Sequence, residues 1–180
     1  MDTQEASVKT KWAIDPTHSE VQFKVKHLVI STVTGSFNKF EGSLTTENED
    51  FDGASAYLTI DADSVHTNQA DRDGHLKSGD FFDAETYPQL KFEGKLSKTG
   101  DGYKLTGPLT IKDVTKEVTL DVEHGGVMED PYGQTKAGFE LTGSINRKEF
   151  GLTWSQVTEA GGVVVGDNVK LMMSIQVVKG

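Results

Sequence analysis

The sequence predicts an all-β protein in which about eight antiparallel strands close into a barrel, with a short helix at one opening. Three observations carry this. Apolar and polar residues alternate with a period of two from end to end, as in strands with one buried face and one wet face. Glycine-rich connections separate the runs. A single segment near residues 69–78 breaks the alternation with helix start and stop signals.

Trp12 to Ile14 form a short lead-in that ends at the Asp15-Pro16 turn. Val21, Phe23, Val25 and His27 then share one face, opposed by Gln22, Lys24 and Lys26. Between Thr32 and Thr46 the parity slips, since Val33 and Phe37 are odd while Phe40, Gly42 and Leu44 are even, so a bulge or sharp bend is expected near Asn38 and Lys39. Ala54, Ala56, Leu58 and Ile60 make a further strand, and Leu90, Phe92 and Leu96 another. Beyond Gly100-Asp101-Gly102, Tyr103, Leu105, Leu109 and Ile111 point one way. Val118, Leu120 and Val122 follow, and after Gly125-Gly126 come Ala137, Phe139, Leu141 and Ile145. Val169, Leu171, Met173, Ile175 and Val177 complete the set.

The exception runs from Gln69 to Ser78, with Asn68 as N-cap, Asp71 in an imperfect capping box, Lys77 in the last turn and Gly79 as the stop. Gly74 costs it about 1 kcal/mol relative to Ala. A helix this short needs docking, for which Leu76, Phe81 and Phe82 are available. Arg147 to Gly151 reads as a tight turn at the end of a strand.

At 180 residues the chain suits one domain: a flexible segment over 1–11 and a barrel over 12–180. A net charge of -10 opposes the counterion release that drives nucleic-acid binding, so no nucleic-acid partner is expected. The acidic run Glu47, Glu49, Asp50 and Asp52 is read as a solvated loop. With no cysteine, disulfides, thiolate metal sites and Cys nucleophiles are excluded. No apolar run reaches the roughly 18 residues of a transmembrane helix, and Met1 to Lys11 lack the apolar core of a signal peptide. The expectation is a cytoplasmic protein, or a periplasmic one if an export signal has been removed.

Chemistry-bearing residues are sparse. Asp71, Asp73 and His75 invite a metal, but on a helix only Asp71 and His75 share a face, so they are read as surface charges and a pocket rim, with no metal. His18, His27, His66, His75 and His124 are scattered, with no His-Glu-x-x-His, Gly-x-Ser-x-Gly or phosphate-cradling Gly-x-Gly-x-x-Gly pattern. No cofactor and no enzymatic activity are therefore expected. His27 extends an apolar face, either as a hydrogen-bonded rim residue or as a contact for a ligand head group. Arg72 and Arg147 could donate to a phosphate, carbonyl or quinone oxygen, or could form surface ion pairs.

The same residues resemble the YceI-like family, a lipocalin-like group associated with polyisoprenoid binding. The likeness is carried by Trp12-Ala13-Ile14-Asp15 with His18-Ser19, Thr34-Gly35-Ser36-Phe37, and Arg72-Asp73-Gly74-His75-Leu76-Lys77-Ser78 followed by Phe81-Phe82-Asp83. It continues through Tyr87-Pro88, Gly107-Pro108-Leu109-Thr110-Ile111, Val114-Thr115-Lys116, Gly138-Phe139 and Arg147-Lys148-Glu149-Phe150-Gly151. Lys112-Asp113 depart from the His-Gly that members often carry there.

The resemblance implies an elongated apolar cavity for an isoprenoid lipid or isoprenoid quinone, closed in part by Arg72 to Phe82, and a possible homodimer. Without it, the residues leave open whether the inward side chains line a cavity or fill a core. With it, the expected ligand-binding lining is Phe23, Val25, Val33, Phe37, Leu58, Ile60 and Phe92 from the first half of the barrel. Leu109, Ile111, Phe139, Leu141, Leu171 and Met173 supply the second half, Leu76, Phe81 and Phe82 the cap, and His27, Arg72, His75 and Arg147 a polar mouth. The expected role is a carrier; the alternatives are a hydrolase or isomerase of a small lipophile with a histidine base, and a structural barrel that binds another protein. Each CH₂ taken from water contributes roughly 0.8 kcal/mol, so three or four isoprene units supply ample driving force.

Overall fold

The alternating runs pair into one antiparallel sheet in the computed structural model, which describes residues 9–27, 30–47, 51–100, 102–154 and 165–180, the His27 side chain excepted. Its strand segments are β1 (Thr10–Ile14), β2 (Glu20–His27), β3 (Ser31–Phe37), β4 (Phe40–Thr46), β5 (Ser55–Asp61) and β6 (Val65–His66). After the helix α1 (Ala70–Lys77) come β7 (Gln89–Thr99), β8 (Gly102–Ile111), β9 (Val114–Glu129), β10 (Thr135–Asn146) and β11 (Val165–Lys179).

The first six segments are halves of three bent strands. β1 pairs with β4 while β2 pairs with β3, and β4 pairs with β5 while β3 pairs with β6. β11 closes the ring by pairing with both β1 and β2. The wall is therefore an eight-stranded meander, the number read from the alternation.

Each bend has a local cause. Proline has no N–H to offer the ladder, so β1 ends before Pro16. Asp15 caps the 3₁₀ turn Pro16–His18, its Oδ1 accepting from Thr17 N at 3.0 Å and its Oδ2 facing His18 Nδ1 at 2.9 Å. The His18 hydrogen bond first, then that of Thr17, holds the Asp15 carboxyl down at about 2. The parity slip is the second bend, as Asn38 and Lys39 leave the ladder between β3 and β4. Asn38 N donates to Ser64 O at 3.1 Å and Asp61 N to Lys39 O at 2.9 Å, which ties this corner to the 3₁₀ turn Ala62–Ser64 between β5 and β6.

Inward parity is as expected. Phe23, Phe37, Phe92, Leu109 and Phe139 are buried, and Val25, Leu58 and Leu171 half-buried. Gly107 permits the closest backbone approach in the wall, since a Cβ there would collide with Glu93 O and Gly94 Cα.

Three boundaries differ from the expectation. β1 already begins at Thr10, which pairs with Thr46, so the flexible segment does not extend to residue 11; residues 1–8 lie outside the described residues. The helix starts at Ala70 and is capped by Gln69, whose Oε1 accepts from Arg72 N at 2.6 Å. Asn68 instead adopts the left-handed region, φ 66°, and makes the turn into the helix, a conformation Asn tolerates better than most residues. At the other end Ser78, not Gly79, is the stop, with both its N–H and its hydroxyl on His75 O. α1 buries none of its own residues fully, and the turns after it hold it: Phe82 N donates to Leu76 O, and the Phe82 ring meets Phe37 at 5.6 Å.

Candidate functional site

Inward side chains from eight wall strands converge on one axis without filling it. A cavity of about 150 Å³ lies inside the wall, lined almost wholly by apolar groups that include Leu58, Ile60, Phe92, Leu109, Leu141 and Met173, with Phe139 beside them. A larger cavity of about 390 Å³ lies beneath α1. Phe23, Phe37, Leu90, Ile111, Ile145 and Leu171 line both, so the two compartments adjoin across shared apolar walls. Val25 and Val33 wall the second compartment, and Leu76, Phe81 and Phe82 cover it from the α1 side.

Charged groups concentrate at this second compartment, where Arg72, His75 and Arg147 all contribute to the lining. The structure separates their roles. Arg147 is buried, with Nε donating to Gly166 O at 2.8 Å, Nη1 to Leu152 O at 2.6 Å and Trp154 O at 2.8 Å, and Nη2 to Val165 O at 3.3 Å. Burial pulls its pKa down and the partly exposed Asp167, 3.9 Å away, pulls it up. This guanidinium ties the Arg147–Phe150 turn to the start of β11 and has little left for a ligand.

Arg72 spends two donors on Thr67, Nε to Oγ1 at 2.8 Å and Nη2 to the carbonyl at 2.6 Å. Asp73 completes that knot, accepting from Thr67 N at 2.8 Å, and its other oxygen lies 3.5 Å from His66 Nδ1. His75 turns elsewhere, Nε2 to Asp80 Oδ2 at 3.0 Å. Asp71, Asp73 and His75 thus do not converge, and among the described residues no group of three or more His, Asp or Glu side chains could hold a metal. The His27 side chain lies outside the described residues.

Sequence reasoning missed Trp154 and Leu152, which line the second compartment. They follow the left-handed Gly151 in a stretch with no periodicity, and the only signal was their place just after the Arg147–Gly151 turn.

The opposite end of the barrel is plugged. Phe51, carried by the β4–β5 connection, is buried against Trp12 at 5.4 Å, His124 at 5.0 Å and Phe139 at 5.1 Å. His124 stacks on Phe139 at 4.9 Å, and its Nε2 is buried with no hydrogen-bond partner among the described residues. Burial lowers its pKa, opposed by a backbone hydrogen bond at Gly126. The folded state therefore binds a proton less readily than the unfolded chain, so stability falls as pH drops through the unfolded histidine range. His124→Phe is expected to stabilise the protein by about 1 kcal/mol at neutral pH, by removing an unsatisfied buried group, and to flatten the loss on acidification. Urea melts of both proteins at pH 8 and pH 5 check this; parallel pH slopes would show that His124 does not titrate against burial.

Comparison with known proteins places the chain among relatives. A family model described as a YceI-like domain matches residues 12–177. A UPF0312 protein of Staphylococcus epidermidis is 40% identical over 168 residues, covering 93% of this chain and 96% of that relative. The crystal structure of Burkholderia cenocepacia BcnA superposes with a TM-score of 0.76 at 25% identity, covering 91% of this chain and 98% of that one. A domain from Saccharophagus degradans, described as a polyisoprenoid binding domain implicated in plant cell wall breakdown, shares the fold with a TM-score of 0.67 at 18% identity, covering 92% and 97% of the two chains.

Proposed function

The chain belongs to the YceI-like domain family, and from that premise we propose that it is a carrier that holds an isoprenoid chain in the barrel, as an isoprenoid lipid or an isoprenoid quinone, without chemical turnover. The observation that carries this reading is the pair of apolar compartments, about 150 Å³ and about 390 Å³, that share walls. A cavity of about 150 Å³ lined by Leu, Ile and Phe stays dry and takes one benzene, six carbons. At that density the two compartments accommodate roughly twenty carbons, or four isoprene units.

Polarity orients the ligand. The plugged end offers rings, and the compartment beneath α1 offers Arg72 and His75, so the chain enters tail first and the head group stays by α1. The Saccharophagus domain lends the fold, and the ligand class named for it agrees with the apolar lining here.

The test is native mass spectrometry of protein isolated gently from cells, followed by solvent extraction. An adduct whose extracted mass is that of an isoprenoid is the expected result. Protein that emerges empty and also fails to take up a C20 isoprenoid from solution would count against the reading.

A further inference from the structure

His75 combines a ring held in place by its neighbours with a ring nitrogen that has no hydrogen-bond partner among the described residues. Gln69 Oε1 is occupied by Arg72 N, and the Arg72 bonds run to Thr67. The His75 ring is fixed edge-on to Trp154 at 4.7 Å and 89°, and edge-on to Phe81 at 5.0 Å and 83°. Its Nε2 faces Asp80 Oδ2 at 3.0 Å, and Asp80 N donates to Ser78 Oγ at 3.3 Å, which holds that loop in place.

An ionised carboxylate can only accept, so the ring nitrogen facing Asp80 must carry the hydrogen. In the neutral imidazole the other nitrogen, Nδ1, is then an acceptor. The two ring nitrogens point to nearly opposite sides. With Nε2 turned toward half-exposed Asp80, Nδ1 turns away from it, and no hydrogen bond to Nδ1 occurs among the described residues. The surface this residue lines is the larger compartment.

Resting on the carrier reading above, we propose that Asp80 sets the tautomer of His75 so that Nδ1 accepts a hydrogen bond, and that the site selects isoprenoids whose head group carries a hydroxyl over those whose head group can only accept. Asp80 is a positioning residue and His75 is the contact. The hydroxyl could be the allylic one of a prenol or the aromatic one of a hydroquinone.

Two ligand pairs test this, titrated at pH 8 by quenching of tryptophan fluorescence: geranylgeraniol against geranylgeranyl methyl ether, and a decyl hydroquinone against its dimethyl ether. One buried hydrogen bond corresponds to about fivefold in affinity. The hydroxyl compound is expected to bind about that much tighter in at least one pair, and the pair that shows it identifies the hydroxyl. In Asp80→Asn, whose amide can donate to Nε2, the preference should narrow, and in His75→Phe it should vanish. Nitrogen-15 NMR of the ring should show the hydrogen on Nε2. Equal affinities in both pairs, tighter binding of an ether, or a preference that survives in His75→Phe would overturn the selection while leaving the tunnel intact. Failure of all four compounds to bind would overturn it together with the carrier reading.

Discussion

Arg147→Met is expected to cost about 3–5 kcal/mol of folding stability, the largest effect of any single side chain at the mouth. Methionine fills much of the same volume, so lost packing is a minor part. The loss comes from four backbone carbonyls, on Leu152, Trp154, Val165 and Gly166, that share one guanidinium. Each buried acceptor left without a donor costs about 1–3 kcal/mol, less where water reaches it. Lysine recovers only part, because a single ammonium cannot reproduce a planar fork whose donors span both sides of the turn. For a chain of this length the loss appears as a fall in Tm of roughly 8–16 °C. Thermal and urea denaturation of Arg147→Met and Arg147→Lys measure it. A loss below about 1 kcal/mol would mean that water satisfies these carbonyls and that Arg147 is not the clamp between the turn and β11.

Chain length should have the second large effect. Going from a C10 to a C20 isoprenoid adds ten carbons to the apolar space, a gross gain of roughly 8 kcal/mol at 0.8 kcal/mol per buried CH₂. Ordering a flexible chain and incomplete contact consume part of that, leaving an expected gain of roughly two to three orders of magnitude in affinity. Beyond about twenty carbons the compartments are full, so a C40 chain should gain less than about tenfold more, because the excess stays outside. Displacement of a fluorescent lipid by C10, C15, C20 and C40 prenols gives the curve. A flat response from C10 to C20 would rule out the tunnel, and an undiminished rise to C40 would show that the space is larger than the two compartments.

Side-chain direction in a strand is a local property. A residue's neighbours two positions away share its face, so Val21, Phe23 and Val25, or Phe139 and Leu141, could be assigned to the interior before any partner strand was known. The same logic exposed the corner at Asn38 and Lys39, because the inward parity changes across it, from odd at Phe37 in β3 to even at Leu44 in β4, which an unbroken strand cannot do. It also isolated Arg147 to Gly151 as a turn, which forms as a 3₁₀ turn ending at a left-handed glycine, φ 80°. What was not legible involved competition between distant groups. The N-cap moved from Asn68 to Gln69 because Asn68 could adopt a left-handed turn and Gln69 could reach Arg72 N. Arg147 read as a donor to a ligand, but the carbonyls that claim it come from residues 5 to 19 positions away.

By itself, then, the sequence determined that this chain folds as an eight-stranded barrel with an apolar interior, because period-two alternation dictates which side of each strand is buried. Only the tertiary structure decided that the interior is hollow. The same phenylalanines, leucines and valines would suit a solid core, and whether they meet across the axis depends on the radius set by strand number, tilt and register. The plug of Phe51 at one end was likewise decided by long-range packing, since its segment carries no periodicity that says what it will cover, whereas the covering by Phe81 and Phe82 at the other end follows the helix signals and aromatic pair read from the sequence.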